Sequence, residues 1–102
     1  MNLYINTKDQ KQVTVSLKNN GKVIKSLSQE NKFGSQVLLP MIVKLFQTYK
    51  PGLEVRKLEG VEVATGPGSF TGLRVGVSVA NALGFALGIP VNGKQLETDL
   101  VY

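Results

Sequence analysis

Ser69 and Thr71, in the segment Gly66-Pro67-Gly68-Ser69-Phe70-Thr71-Gly72, are the hydroxyls best placed to do chemistry. Either one needs a base to become a nucleophile, and the 102 residues contain no histidine and no cysteine. That removes the commonest general base at neutral pH, the commonest metal ligand and any thiolate. The acidic residues Asp9, Glu30, Glu54, Glu59, Glu62, Glu97 and Asp99 show no spacing that sets two on one helix face. Catalysis by this chain alone is not expected, and no catalytic or metal-ligating residue is assigned. The same segment joins a strand to a helix start, where backbone N–H groups can cradle an anion. It fails the P-loop pattern, because no Gly-Lys-Ser/Thr closes it. It fails the dinucleotide fingerprint too, since its third glycine comes one position late and no acidic residue follows at ribose distance. A phosphate cradle and a tight turn that starts a helix both stay open, with the turn favoured.

These residues need elements to hold them. Leu3 to Thr7 reads as a first, buried strand. Gln12 to Lys18 alternates, with Val13, Val15 and Leu17 on one face, as a half-exposed strand does. Asn19-Asn20-Gly21 is a hairpin signal, and Lys22 to Ser28 returns as a third strand. After a polar loop, Ser35 can cap a helix that runs to about Tyr49, where Pro51-Gly52 stops it. A fourth strand over 62–65, a helix from about Thr71 to Leu87 ended by Gly88, and a fifth strand over 89–92 complete the order. The second crossover makes strands four and five parallel. The expectation is one α/β domain over 1–102, with a five-stranded mixed sheet, three antiparallel N-terminal strands and two main helices.

Hydrophobic content of 42% and charged content of 19% suit an ordinary globular protein. The net charge of +5 comes from scattered residues, without a basic cluster interleaved with aromatics, so a solvated basic surface is favoured over direct RNA contact. The uncharged run 75–91 approaches membrane length, but Ser78, Asn81, Pro90 and its glycines argue against a span. No secretory signal is read at the start, and a cytoplasmic protein is expected.

Both helices are more apolar than a monomer needs. Leu38, Met41, Ile42, Leu45 and Tyr49 form one stripe, and Leu39, Val43 and Phe46 widen it. After Arg74 the second helix has no charge, and Gly72, Gly76, Ala80, Gly84 and Gly88 recur every four residues. Small residues at that spacing let another element approach closely. The groove can receive the domain's own sheet or first helix, or a helix of another molecule, and the surplus apolar surface favours the second.

The run 66–77, with Ala80, Leu83, Gly84 and Ile89-Pro90-Val91, closely resembles the signature of the TsaB (YeaZ) family, and Leu38-Leu39-Pro40-Met41-Ile42 looks like that family's first helix. The resemblance covers nearly the whole chain. It implies an RNase H-like, actin-like (ASKHA) fold related to the peptidase M22 or glycoprotease group. It also implies a non-catalytic paralogue of the catalytic subunit TsaD, pairing with TsaD through its helices. With the ATPase TsaE, such a subunit supports synthesis of N6-threonylcarbamoyladenosine at position 37 of tRNA. Alone, the family tends to form homodimers through the same face. Mapped here, that interface takes Leu38, Met41, Ile42, Leu45, Gly72, Gly76, Ala80 and Gly84, and the motif turn takes residues 66–71 with Arg74.

Three departures matter. Asn6-Thr7-Lys8 stands where the family has an Asp-Thr-Ser type phosphate loop, and Gly34-Ser35-Gln36 where it has His-Ser-Glu. The family's second domain follows the fifth strand and is not among these residues, so the interdomain nucleotide cleft is not expected from them. No cofactor is assigned to the chain alone; ATP is used by the complex, and any tRNA contact is indirect. The competing readings are a glycoprotease-like or nucleotide-hydrolysing enzyme domain and a homodimeric structural domain.

Overall fold

The computed structural model describes residues 1–9, 11–30, 37–49 and 57–99. Asn20 and Gly21 both take positive φ, 54° and 79°, which is what a two-residue hairpin loop between right-twisted strands demands. The loop joins β2 (Gln12–Asn19) to β3 (Lys22–Glu30), and β2 pairs antiparallel on its other side with β1 (Asn2–Asn6). The three-strand meander read from the sequence is therefore present. A register shift between Leu17 and Lys18 lets β3 carry one extra residue near the hairpin.

Helix α1 (Leu38–Tyr49) follows, then β4 (Gly60–Val63) and helix α2 (Phe70–Leu87). The expected cap Ser35 and stop Pro51-Gly52 lie outside the described residues. The fourth strand begins two residues earlier than read, and it pairs parallel with β1, Leu3 opposite Val61 and Ile5 opposite Val63. The sheet order is β3-β2-β1-β4.

The expected fifth strand is corrected: among the described residues the sheet has four strands. Val91 makes one parallel bridge to Val61, with the Val61 amide donating to Pro90 O at 3.0 Å and the Asn92 amide to Val61 O at 2.8 Å. Asn92 then turns into positive φ, 51°, and the chain leaves the sheet before a second pair can form.

Register sorts the strand side chains into two faces. Leu3, Ile5, Val13, Val15, Leu17, Val61 and Val63 share one, all buried in a single core with Leu38, Met41, Ile42, Leu45 and Phe46 of α1 and Val77 and Ala80 of α2. Each such side chain contributes about 1.5–3 kcal/mol by leaving water. The opposite face is polar. Thr14 and Ser16 pair their hydroxyls with Ser28 and Ser26, both at 2.9 Å, and Lys18 Nζ sits 4.3 Å from the centre of the Tyr4 ring. Both helices therefore cover the same face. Among the described residues, no helix is long and apolar enough to cross a membrane.

Replacing Gly21 by valine forces a β-branched residue into the left-handed region, and we expect a loss of about 1–2 kcal/mol with unchanged urea m-value. Urea denaturation followed by circular dichroism checks this; an unchanged midpoint would mean the hairpin does not need its positive φ.

Candidate functional site

Parallel strands β1 and β4 point their C-terminal ends toward the glycine-rich turn, the place where open α/β sheets put their functional residues. Ser69 caps α2, its Oγ accepting from the Gly72 amide at 3.2 Å, while the Leu73 amide donates to Ser69 O at 2.9 Å. The Ser69 amide donates to Lys8 O at 2.8 Å. Two of the N–H groups that an anion would need are thus engaged within the chain. Gly66 takes a φ of 112°, the Gly66–Pro67 bond is cis, and a Cβ on Gly68 would run into the backbone of Lys8. Phe70 opens α2, and Thr71 and Arg74 are exposed on its first turns. The motif turn is docked on the end of β1.

Thr7 holds that docking from the other side. Buried at 3% exposure, its hydroxyl donates to the Gly72 carbonyl. A Cβ on Gly72 would strike Thr7 O, and one on Gly76 would strike Thr7 Oγ1. Further along, a Cβ on Gly84 would strike the Val91 side chain, and Ala80 is fully buried. The small-residue stripe thus faces the chain's own sheet, where the sequence reading favoured another molecule. Leu38, Met41, Ile42 and Leu45 are likewise in the core. The large apolar side chains that the helices leave outside are different ones: Leu39 at 55% and Val43 at 54% on α1, and Phe85 at 86% on α2.

A second cluster escaped the sequence reading. Asn92 clasps Val63, accepting from its amide at 2.8 Å and donating to its carbonyl at 3.0 Å, and it also donates to Glu97 Oε2 at 2.8 Å. Asn81, a half-buried amide on α2, clasps the backbone of Glu97 with bonds of 2.8 and 2.9 Å. Lys94 Nζ and the Asp99 amide donate to Glu97 Oε1 at 3.1 and 3.0 Å. Burial pushes the Glu97 carboxyl up. The bonds from Asn92, the Asp99 amide and Lys94, with the Lys94 charge, outweigh that and hold it below the ordinary 4.5. One polar signal was available: a lone asparagine in a helix that carries no charge after Arg74 needs a partner.

Comparison with known proteins converges on one group. The family model described as "TsaD: tRNA N6-adenosine threonylcarbamoyltransferase" matches residues 23–93. The tRNA threonylcarbamoyladenosine biosynthesis protein TsaB of Buchnera aphidicola is 38% identical over 73 residues, 71% of this chain and 34% of that protein. The tRNA N6-adenosine threonylcarbamoyltransferase of Nitrosospira multiformis is 46% identical over 65 residues, 63% of this chain and 18% of that protein. The solved structure of YeaZ from Pseudomonas aeruginosa superimposes with a TM-score of 0.77 at 30% identity, covering 88% of this chain and 42% of YeaZ. The chain therefore spans well under half the length of these relatives.

Gly76→Ala is expected to cost about 1–3 kcal/mol, because the methyl group meets Thr7 Oγ1. Combining it with Thr7→Ala should return part of that loss, a coupling readable in a double-mutant cycle of denaturation midpoints. Strict additivity would show that the two residues do not touch.

Proposed function

Because the chain belongs to the TsaD family, as one of its TsaB/YeaZ members, we propose that it is a non-catalytic partner subunit in the synthesis of N6-threonylcarbamoyladenosine in tRNA. It binds a TsaD-type catalytic subunit through the outer sides of its helices and works beside a TsaE-type ATPase. In this reading the four strands and two helices are the N-terminal half of an RNase H-like, actin-like unit. The protein is cytoplasmic, holds no cofactor of its own, and meets tRNA only through the complex.

The observation that carries the reading is the pairing of two facts. The sequence has no histidine and no cysteine with which to run chemistry, and the two helices present Leu39, Val43 and Phe85 to solvent. Large apolar side chains displayed on a polar surface mark a binding face. The stripe residues named from the sequence support that face from beneath: Leu38, Met41, Ile42 and Leu45 under α1, and Gly72, Gly76, Ala80 and Gly84 under α2.

Sedimentation equilibrium of the chain, alone and mixed with a TsaD homologue, tests this. We expect a heterodimer that replaces any self-association, and about tenfold or greater weakening when Leu39 and Val43, or Phe85, become glutamate. A chain that ignores the homologue would overturn the proposal in favour of a structural domain, and one that hydrolyses nucleotide or peptide by itself would overturn it in favour of the enzyme reading.

A further inference from the structure

Residues 93–99 lie against the domain without a buried apolar side chain. Gly93, Lys94, Gln95, Leu96, Thr98 and Asp99 are all exposed, and Glu97 alone is buried, at 4%. What holds the segment is polar, starting with an antiparallel bridge in which the Val91 amide donates to Lys94 O at 2.7 Å and the Lys94 amide to Val91 O at 2.9 Å. Asn81 of α2 clasps the Glu97 backbone in both directions, and the Glu97 carboxylate gathers Asn92 Nδ2, Lys94 Nζ and the Asp99 amide. Asn92 is itself fastened to Val63 at the end of β4, so the carboxylate ties the segment to the sheet. The Lys94 ammonium also bonds Asp99 Oδ2 at 3.1 Å across the exposed side.

We propose that residues 95–99 form a latched strap, closed over α2 by the Glu97 carboxylate and released beyond the Val91–Lys94 bridge when that carboxylate is neutralised. Segments that open below the global unfolding free energy are those with few buried apolar contacts, and the one large apolar side chain here, Leu96, is 48% exposed. A charged acceptor bound by three donors is the strongest bond type available to it, and a neutral acid accepts those donors poorly. The groups facing the carboxylate are the Lys94 ammonium, the Asp99 amide and the Asn92 side chain, while Asn81 on α2 holds the Glu97 backbone. Between Val75 and Gly88, α2 brings no charge that could replace it. Release takes Leu96 away from the groove it lines with Gly84, Phe85, Gly88, Ile89 and Pro90, and so widens the apolar surface at the end of α2.

The sign follows from the folded carboxyl lying below its ordinary value. Closure is fully present above pH 4.5 and is lost as pH falls through the lower folded value. The test is NMR on the labelled chain. In the wild type, the side-chain amide signals of Asn81 and Asn92 should move with the same midpoint as the Glu97 carboxyl carbon, while core amides such as Ile5 and Val15 stay in place. In Glu97→Gln at neutral pH, the Glu97-position and Asp99 amides should exchange about ten- to a hundredfold faster, with core protection unchanged. A strap that keeps its protection in Glu97→Gln, or Asn81 signals that change only when the core unfolds, would overturn the latch. Should the variant fail to fold, the wild-type titration decides alone.

Discussion

Everything at the functional end of the molecule hangs on how closely α2 approaches the end of β1. Thr7 sits against the helix backbone itself, with Gly72 and Gly76 leaving no side chain between them. That contact brings the helix start down onto Lys8, where the Ser69 amide finds its acceptor and the Ser69 hydroxyl is left to cap the first turn. Glycine inside a helix costs about 1 kcal/mol relative to alanine. The close packing it permits, and the buried threonine hydroxyl it satisfies, offset that cost. A turn whose amides are committed in this way serves as a fastening between strand and helix.

The two edges of the sheet are managed differently. On β4, the outward groups of Val61 bond Pro90 and Asn92, and those of Val63 bond the Asn92 side chain. One asparagine in a left-handed conformation thus does the work of the missing strand, ending the sheet while leaving no open ladder. On β3 the hairpin end carries Lys22, Lys25 and the extra residue of the bulge, devices that discourage another strand from adding there.

Much of this was legible in the residues, for identifiable reasons. Strict alternation over Val13, Val15 and Leu17 specifies a face, Asn20-Gly21 specifies a turn, and Gly88 specifies a left-handed helix end with φ of 66°. These are local signals read without knowing the neighbours. The orientation of α1 was not local. With Leu38, Leu39, Met41, Ile42, Val43, Leu45 and Phe46 all apolar, the arc is too wide to say which side meets the sheet, and the stripe assigned to a partner is the one the core takes. The small-residue stripe is ambiguous in the same way, since glycine spacing reveals a close approach but not by what. The fifth strand shrank to a bridge because its next residue, Asn92, bonds through its side chain. The Glu97 cluster was not legible because its distant anchors, Asn81 on the helix and Val63 beneath Asn92, meet it only in the fold.

A two-layer unit with both helices on one face of its sheet has a consequence for what surrounds it. Each helix has a side toward the sheet and a side away, and nothing among the described residues lies beyond the second side. The inward sides of α1 and α2 are filled to near-complete burial, so Leu39, Val43 and Phe85 are not the remainder of an ill-packed core. They belong to a second, outward apolar surface on helices whose first surface is already satisfied. Solvent exerts no pull that would retain a phenylalanine at 86% exposure, and burying it returns roughly 1.5–3 kcal/mol. The opposite face of the sheet, with its paired hydroxyls and Lys18 over Tyr4, exposes Val23 at 55%, one large apolar side chain against three on the helices, and so offers a smaller gain. Burial therefore favours association at the helices over the opposite face.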